Sequence, residues 1–239
     1  MGSEMCIRDS LSTGDELVEL GCTPGPGEII NSNTLSLAAA VQEVGCIPRI
    51  IGIARDNRES HREKLREGLN ADVLITSAGV SAGDCDLVRD VLDELGAQQM
   101  FWKVAIKPGG PTAFAIYGST PVFSLPGNPV STMITFEEFV RPALLRMQGY
   151  QKVLQPLFKA VLRGPLSKKP GKVQIVRLHL EKERGCWYAT SAGNQQTAIL
   201  KTMVDAQAIA VLPAESSHFA AGDEVDVHFY GNHIELELP

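Results

Sequence analysis

The sequence predicts an α/β protein, a three-layer mostly parallel sheet followed by a small all-β barrel-like domain. Three observations carry this. Residues 11–149 alternate short β-branched runs with helical stretches across short connections. After Tyr150 the pattern becomes period-two alternation broken by Gly, Pro and Asn turns. The charge also shifts: residues 1–150 carry 12 Lys/Arg against 19 Asp/Glu, and residues 151–239 carry 10 against 9.

Residues 1–10, MGSEMCIRDS, fit neither pattern and read as a foreign leader. Thr13-Gly14-Asp15 looks like a loop leaving a strand, yet almost no strand precedes it. The α/β domain, 11–149, is therefore expected to be truncated at its start. Residues 31–44 read as a helix capped by Asn31 or Ser32 and stopped by Gly45. Residues 47–54 are a compact β-branched run, hence one buried strand. Asp56-Asn57-Arg58-Glu59 has capping-box spacing and opens a charged helix to Glu67. A strand at 73–76, a helix at 86–95, and strands at 100–105, 113–117 and 122–125 follow. A long helix from 129 to 147 should kink at Pro142. In the β domain, 150–239, strands are expected at 173–180, 186–190, 208–212 and 224–230, with a short helix within 195–204.

Composition excludes several classes. With 44% hydrophobic residues and 21% charged, the chain is neither disordered nor fibrous. A net charge of −6 argues against nucleic-acid binding through bulk basicity. The longest stretch free of charged residues, 108–136, is broken by Gly, Pro, Ser, Thr and Asn, so no membrane span is expected. Five separated cysteines without a CxxC pair read as reduced thiols in a cytoplasmic protein. Five scattered histidines read as structural, and Trp102 as sheet packing.

Ligands of open parallel sheets bind at the carboxyl ends of the strands. Five loops should open on that edge: 12–16, 55–57, 77–86, 107–111 and 125–129. The Ser77-Ala78-Gly79-Val80-Ser81-Ala82-Gly83-Asp84 loop leads into a helix and can bring backbone amides close to an anion. It is equally an ordinary strand-to-helix turn. Asn128 and Pro129 suit a helix start and can be simple caps. Asp15, Glu16, Asp56, Asp84 and Asp86 supply hard oxygens suited to Mg²⁺. Lys103 and Lys107 suit an anionic ligand.

Ser12-Thr13-Gly14-Asp15-Glu16-Leu17, Asn31, Gly52-Ile53-Ala54-Arg55-Asp56, Ser77-Ala78-Gly79-Val80-Ser81, Trp102-Lys103-Val104-Ala105-Ile106-Lys107-Pro108-Gly109 and Leu125-Pro126-Gly127-Asn128-Pro129-Val130-Ser131 together resemble the MoeA family. These are molybdopterin molybdotransferases, related to the E domain of gephyrin. The resemblance implies insertion of molybdate into adenylylated molybdopterin with Mg²⁺-dependent release of AMP. It implies catalytic roles for Asp56, Asp86, Lys103 and Lys107, and metal ligation by Glu16, Asp56, Asp84 and Asp86. Substrate contacts fall on Thr13, Gly14, Glu16, Ser77, Gly79, Ser81, Gly83, Pro108, Pro126, Gly127, Asn128, Pro129 and Ser131. It further implies a homodimer whose cleft needs two more domains, so that this chain alone would be impaired, and a MogA-like partner enzyme. Ala78 and Gly110 depart from the pattern, where members usually have Gly and some have Lys. A MogA-like adenylyltransferase and a gephyrin-like scaffold are the alternatives.

Overall fold

The computed structural model describes residues 6–78 and 87–231. The chain divides into two compact units. One comprises Met1–Val104 and Gly109–Lys152; the other comprises Ala105–Pro108 and Val153–Pro239.

The first unit runs β1 (Cys6–Thr13), β2 (Leu17–Val18), β3 (Ile29–Ile30), α1 (Ser32–Glu43), β4 (Ile47–Pro48), β5 (Gly52–Ala54), α2 (Arg58–Gly68), β6 (Val73–Ser77), α3 (Leu87–Glu94) and β7 (Gln98–Trp102). After β8 (Ile106–Lys107) come β9 (Ala113–Tyr117), β10 (Thr120–Leu125), α4 (Pro129–Thr135), a π-helical turn (Phe136–Val140) and α5 (Arg141–Met147). The sheet order is β4-β1-β6-β10-β9-β7, with β5 also on β1. β1, β4, β5, β6 and β10 are parallel. β9 is antiparallel to both neighbours, so β7 again runs with the parallel block.

Strand alternation divides the core between two faces. Val73, Ile75, Phe123 and Leu125 pack on α1 and the α4–α5 segment through Leu37, Val41, Phe136 and Leu144. Leu11, Leu74 and Val122 meet α2 and α3 through Leu65, Val88 and Val91. Each fully buried side chain of this kind contributes about 1.5–3 kcal/mol. The connections from β1 and from its neighbours β5 and β6 thus leave on opposite faces, which opens a crevice at the carboxyl edge.

The expected fold class holds, with four local corrections. A strand does precede Thr13: β1 lies inside the sheet, paired on both sides, with a bulge between Asp9 and Leu11. Arg8, Asp9 and Ser10 disguise it, because a central parallel strand normally reads as a continuous apolar run. Residues 47–54 form two strands, since Pro48 cannot donate to the ladder. The long helix absorbs Pro142 through the π turn, where Arg141 N–H donates to Phe136 O. Proline leaves the Glu138 carbonyl without its usual i+4 donor, and the wider turn accommodates that. The strand expected at 100–105 ends at Trp102, and Ile106–Lys107 is a separate element.

The second unit continues with β11 (Phe158–Leu162), β12 (Leu166–Ser167), β13 (Val173–Glu183), β14 (Cys186–Ser191), α6 (Lys201–Val204), β15 (Ala208–Leu212), β16 (His218–Phe219) and β17 (Glu224–Phe229). The order β14-β11-β17-β15-β13 closes because β13 also pairs with β14. Val176, Leu178, Ala208, Ala210, Val225 and Val227 fill this five-stranded barrel, with Phe158, Trp187 and Phe229 stacked together. β8 joins β13 in parallel, Lys107 opposite Gln174. Only 201–204 of the expected helix forms. Gln195 instead spends its side-chain amide on the Arg177 backbone, accepting from its N–H and donating to its carbonyl.

Candidate functional site

The carboxyl edge of the first sheet is built around a buried polar knot. Ser12 Oγ, at the end of β1, donates to Asn31 Oδ1 at 2.9 Å and lies 2.9 Å from Ser77 Oγ, at the end of β6. Asn31 caps α1 by accepting from Thr34 N–H, and its amide donates to Thr34 Oγ1 at 2.8 Å. All four side chains are at most 3% exposed. In so dry a setting these hydrogen bonds hold two loop origins and a helix start in one geometry.

Two loops are laced together above the knot. Asp15 N–H donates to Asp56 Oδ2 at 3.3 Å and Asp56 N–H to Asp15 Oδ1 at 3.2 Å. Arg55 donates to the carbonyls of Asp15 and Leu17. Asn57, not Asp56, caps α2, accepting from Ser60 N–H. Asp56 is exposed, and its second carboxylate oxygen has no hydrogen-bond partner among the described residues. Gly14 has φ +140°, and a Cβ there would run into the Glu16 carboxylate, so Glu16 folds back over a position only glycine can occupy.

Two more loops meet opposite. Ala78 N–H donates to Leu125 O, and a Cβ on Gly127 would come within 3.0 Å of the Ala78 methyl. Asn33 Nδ2 donates to Gly127 O at 2.8 Å, and Thr132 Oγ1 to Pro126 O at 2.6 Å. Asn128 stands at the α4 cap position, is exposed and makes no side-chain cap bond, so its amide is available where capping alone was the simpler expectation. Pro129 starts the helix and Ser131 is buried in its first turn. Ala78 has φ +74°, a conformation that costs an L-residue roughly 1–2 kcal/mol. Ala78→Gly is therefore expected to raise the melting temperature of this unit by a few degrees. An unchanged or lower value in calorimetry would show that alanine is not strained there.

Lys103 follows β7 at the same edge, while Lys107 and Pro108 are built into the second unit through β8. The expectation that loop 107–111 leaves a strand of the first sheet is thus corrected. Gly79, Ser81, Gly83, Asp84 and Asp86 lie outside the described residues. Among the described residues no group of three His, Cys, Asp or Glu side chains is placed to hold a metal ion. The Asp56 and Glu16 carboxylates still fit Mg²⁺, which takes one or two carboxylates plus water and phosphate oxygens.

Arg177 was not anticipated. It lies on β13 between the barrel-filling Val176 and Leu178, so it faces outward, yet it is fully buried. Nη2 donates to the carbonyls of Asn194 and Gln196. Nε and Nη1 have no acceptor among the described residues, and burial pushes its pKa down. It follows Gln174, the partner of Lys107, by three residues. The sequence signal was only an arginine inside an alternating strand.

Comparison with known proteins agrees with this architecture. Residues 10–146 match the family described as "Probable molybdopterin binding domain", and residues 159–230 match "MoeA C-terminal region (domain IV)". The molybdopterin molybdenumtransferase of Haemophilus influenzae is 34% identical over 227 residues, covering 94% of this chain and 56% of that protein. Its namesake in Nostoc is 34% identical, covering 95% and 52%. The crystal structure of a molybdopterin biosynthesis MoeA protein from Pyrococcus horikoshii superposes with a TM-score of 0.83 at 28% identity, covering 96% and 55%. The chain spans about half the length of the curated relatives it matches. Among the described residues no helix is long and apolar enough to cross a membrane.

Proposed function

Since the chain belongs to the MoeA family of molybdopterin-binding proteins, we propose that it supplies substrate-holding and catalytic residues for inserting molybdate into adenylylated molybdopterin with release of AMP. The observation that carries this reading is the crevice over the Ser12–Asn31–Ser77 knot, with four loops laced in pairs around it. Thr13, Gly14 and Ser77 present backbone and hydroxyl groups to the pterin and its phosphate. Pro126, Gly127, Asn128 and Pro129 form the facing loop. Asp56 and Glu16, with Asp84 and Asp86, would hold Mg²⁺, which supplies charge neutralisation at the phosphate bridge when bound. Lys103 balances charge on the departing AMP. Lys107 is the cation for the oxyanion molybdate. A homodimer, a MogA-like partner enzyme and a cytoplasmic setting belong to the same reading.

Binding tests it. Titration with AMP and with molybdate should show saturable binding of each, and Lys107→Ala should weaken molybdate about tenfold or more while leaving the melting temperature unchanged. A parent chain that binds neither anion, or an equal loss of stability and binding, would refute it. Mg²⁺ and AMP should bind cooperatively, and Asp56→Asn should abolish that coupling; coupling that survives removes Asp56 from the metal site.

A further inference from the structure

All four carbonyls of the 125–128 segment are held by donors from elsewhere in the first unit. Leu125 O accepts from Ala78 N–H, Pro126 O from Thr132 Oγ1 at 2.6 Å, Gly127 O from Asn33 Nδ2 at 2.8 Å, and Asn128 O from Thr132 N–H. The donors belong to the loop after β6, to α4 and to the first turn of α1. The Pro126–Gly127 and Gly127–Asn128 peptides are trans. In a trans peptide the carbonyl and the following N–H point in opposite directions. Drawing Pro126 O toward α4 and Gly127 O toward α1 therefore turns the Gly127 and Asn128 N–H groups the other way, on a stretch that is exposed. Neither N–H has an acceptor among the described residues. The loop shows its acceptors to the protein and its donors to the outside.

The Asn33 contact is the unusual one. Pro126 is buried, so Thr132 satisfies a carbonyl that water reaches poorly. Gly127 is exposed, so water can take its carbonyl in place of Asn33. Asn33 itself is only 9% exposed, and its Oδ1 is buried with no donor among the described residues. A buried acceptor without a partner is a net cost to the fold. An apolar side chain at position 33 would remove that orphan and leave Gly127 O to solvent, so stability alone gives no reason for an amide there. What the amide secures is the direction of the Gly127–Asn128 peptide. Glycine leaves this backbone free to turn, and a side chain that would restrict it is excluded, because a Cβ on Gly127 would come within 3.0 Å of the Ala78 methyl.

We propose that Asn33 is a positioning residue for the 125–128 loop, fixing it so that the Gly127 and Asn128 N–H groups face an oxyanion of the ligand. The helix α1 thereby serves the crevice twice, through Asn31 in the knot and through Asn33 on the facing loop. The nature of the oxyanion, a nucleotide phosphate, rests on the proposed function; the orientation of the peptide does not.

The test uses the full isotope-labelled chain, read by calorimetry and by amide NMR with AMP as the probe. In the parent, AMP should move the Gly127 and Asn128 amide protons downfield. Asn33→Leu should melt no lower than the parent and yet bind AMP about tenfold more weakly. Asn33→Ala, which cannot overpack the site, should show the same loss of affinity. That split between affinity and melting is one a merely structural residue would not give. Variants that both bind AMP as tightly as the parent, or that lose affinity only in step with melting temperature, would overturn the proposal. So would AMP binding that leaves both amides unmoved. A parent that binds no AMP would remove the nucleotide reading, and the ligand-free spectra then test Asn33 by themselves. Loss of order at Gly127 and Asn128 in Asn33→Leu, at unchanged melting temperature, would keep Asn33 as the positioning residue; unchanged order would overturn it.

Discussion

Replacing Arg177 with methionine is expected to stabilise the second unit. The guanidinium is fully buried and spends one nitrogen on two carbonyls, leaving Nε and Nη1 unpaired among the described residues. A buried charge without a counter-ion costs several kcal/mol, and replacement of buried ionic groups by apolar ones of similar volume often gains about 1–4 kcal/mol. In a domain of this size each kcal/mol moves the melting temperature by roughly 4–8 °C. Burial lowers the folded pKa of this base, so the unfolded state holds the proton more tightly. The cost is therefore fully present at neutral pH. Calorimetry on parent and variant reads the difference. A methionine variant that melts lower than the parent would show that the guanidinium's bonds to the 194–196 loop outweigh the cost of its burial.

Asn31→Ala should produce the largest loss of stability among polar substitutions in the first unit, about 2–3 kcal/mol, or roughly 5–10 °C. Asn31 accepts from Ser12 Oγ and Thr34 N–H and donates to Thr34 Oγ1, all within the buried knot. Alanine removes the α1 cap, which alone is worth about 0.5–2 kcal/mol, and takes one partner from each of two buried hydroxyls. Asn31→Asp keeps both acceptor roles and should lose less than alanine unless the buried charge dominates. If alanine melts within a degree of the parent, the knot does not organise the crevice.

Much of this was legible locally. Residues 31–44 carry a cap and a stop and become α1 with Asn31 as its cap, and the charged stretch opened at Asp56 becomes α2, with Asn57 in place of Asp56 as its cap. Strands 113–117 and 208–212 match to the residue, because alternation and β-branching report a neighbourhood of a few residues. The site loops were legible for a related reason: in a parallel sheet the loops after β1, β5, β6 and β10 must open on one edge.

The remainder depended on partners distant in sequence. β1 carries Arg8-Asp9-Ser10 and becomes a strand because β5 and β6 pair on either side of it. Ile106–Lys107 looks like the end of the preceding strand, yet β13, nearly seventy residues on, draws it into the other unit. The left-handed turn of Lys103 needs Thr112 and Gly110 as acceptors. The burial of Arg177 needs the 194–196 loop folded over the outside of the barrel. Sequence by itself thus determined the elements, their order and the loops that carry chemistry, through capping, periodicity and turn residues acting over one or two turns. Tertiary structure alone decided which cations are buried, paired or held on an aromatic face, because desolvation and hydrogen-bond satisfaction belong to groups that meet only after the chain has closed upon itself.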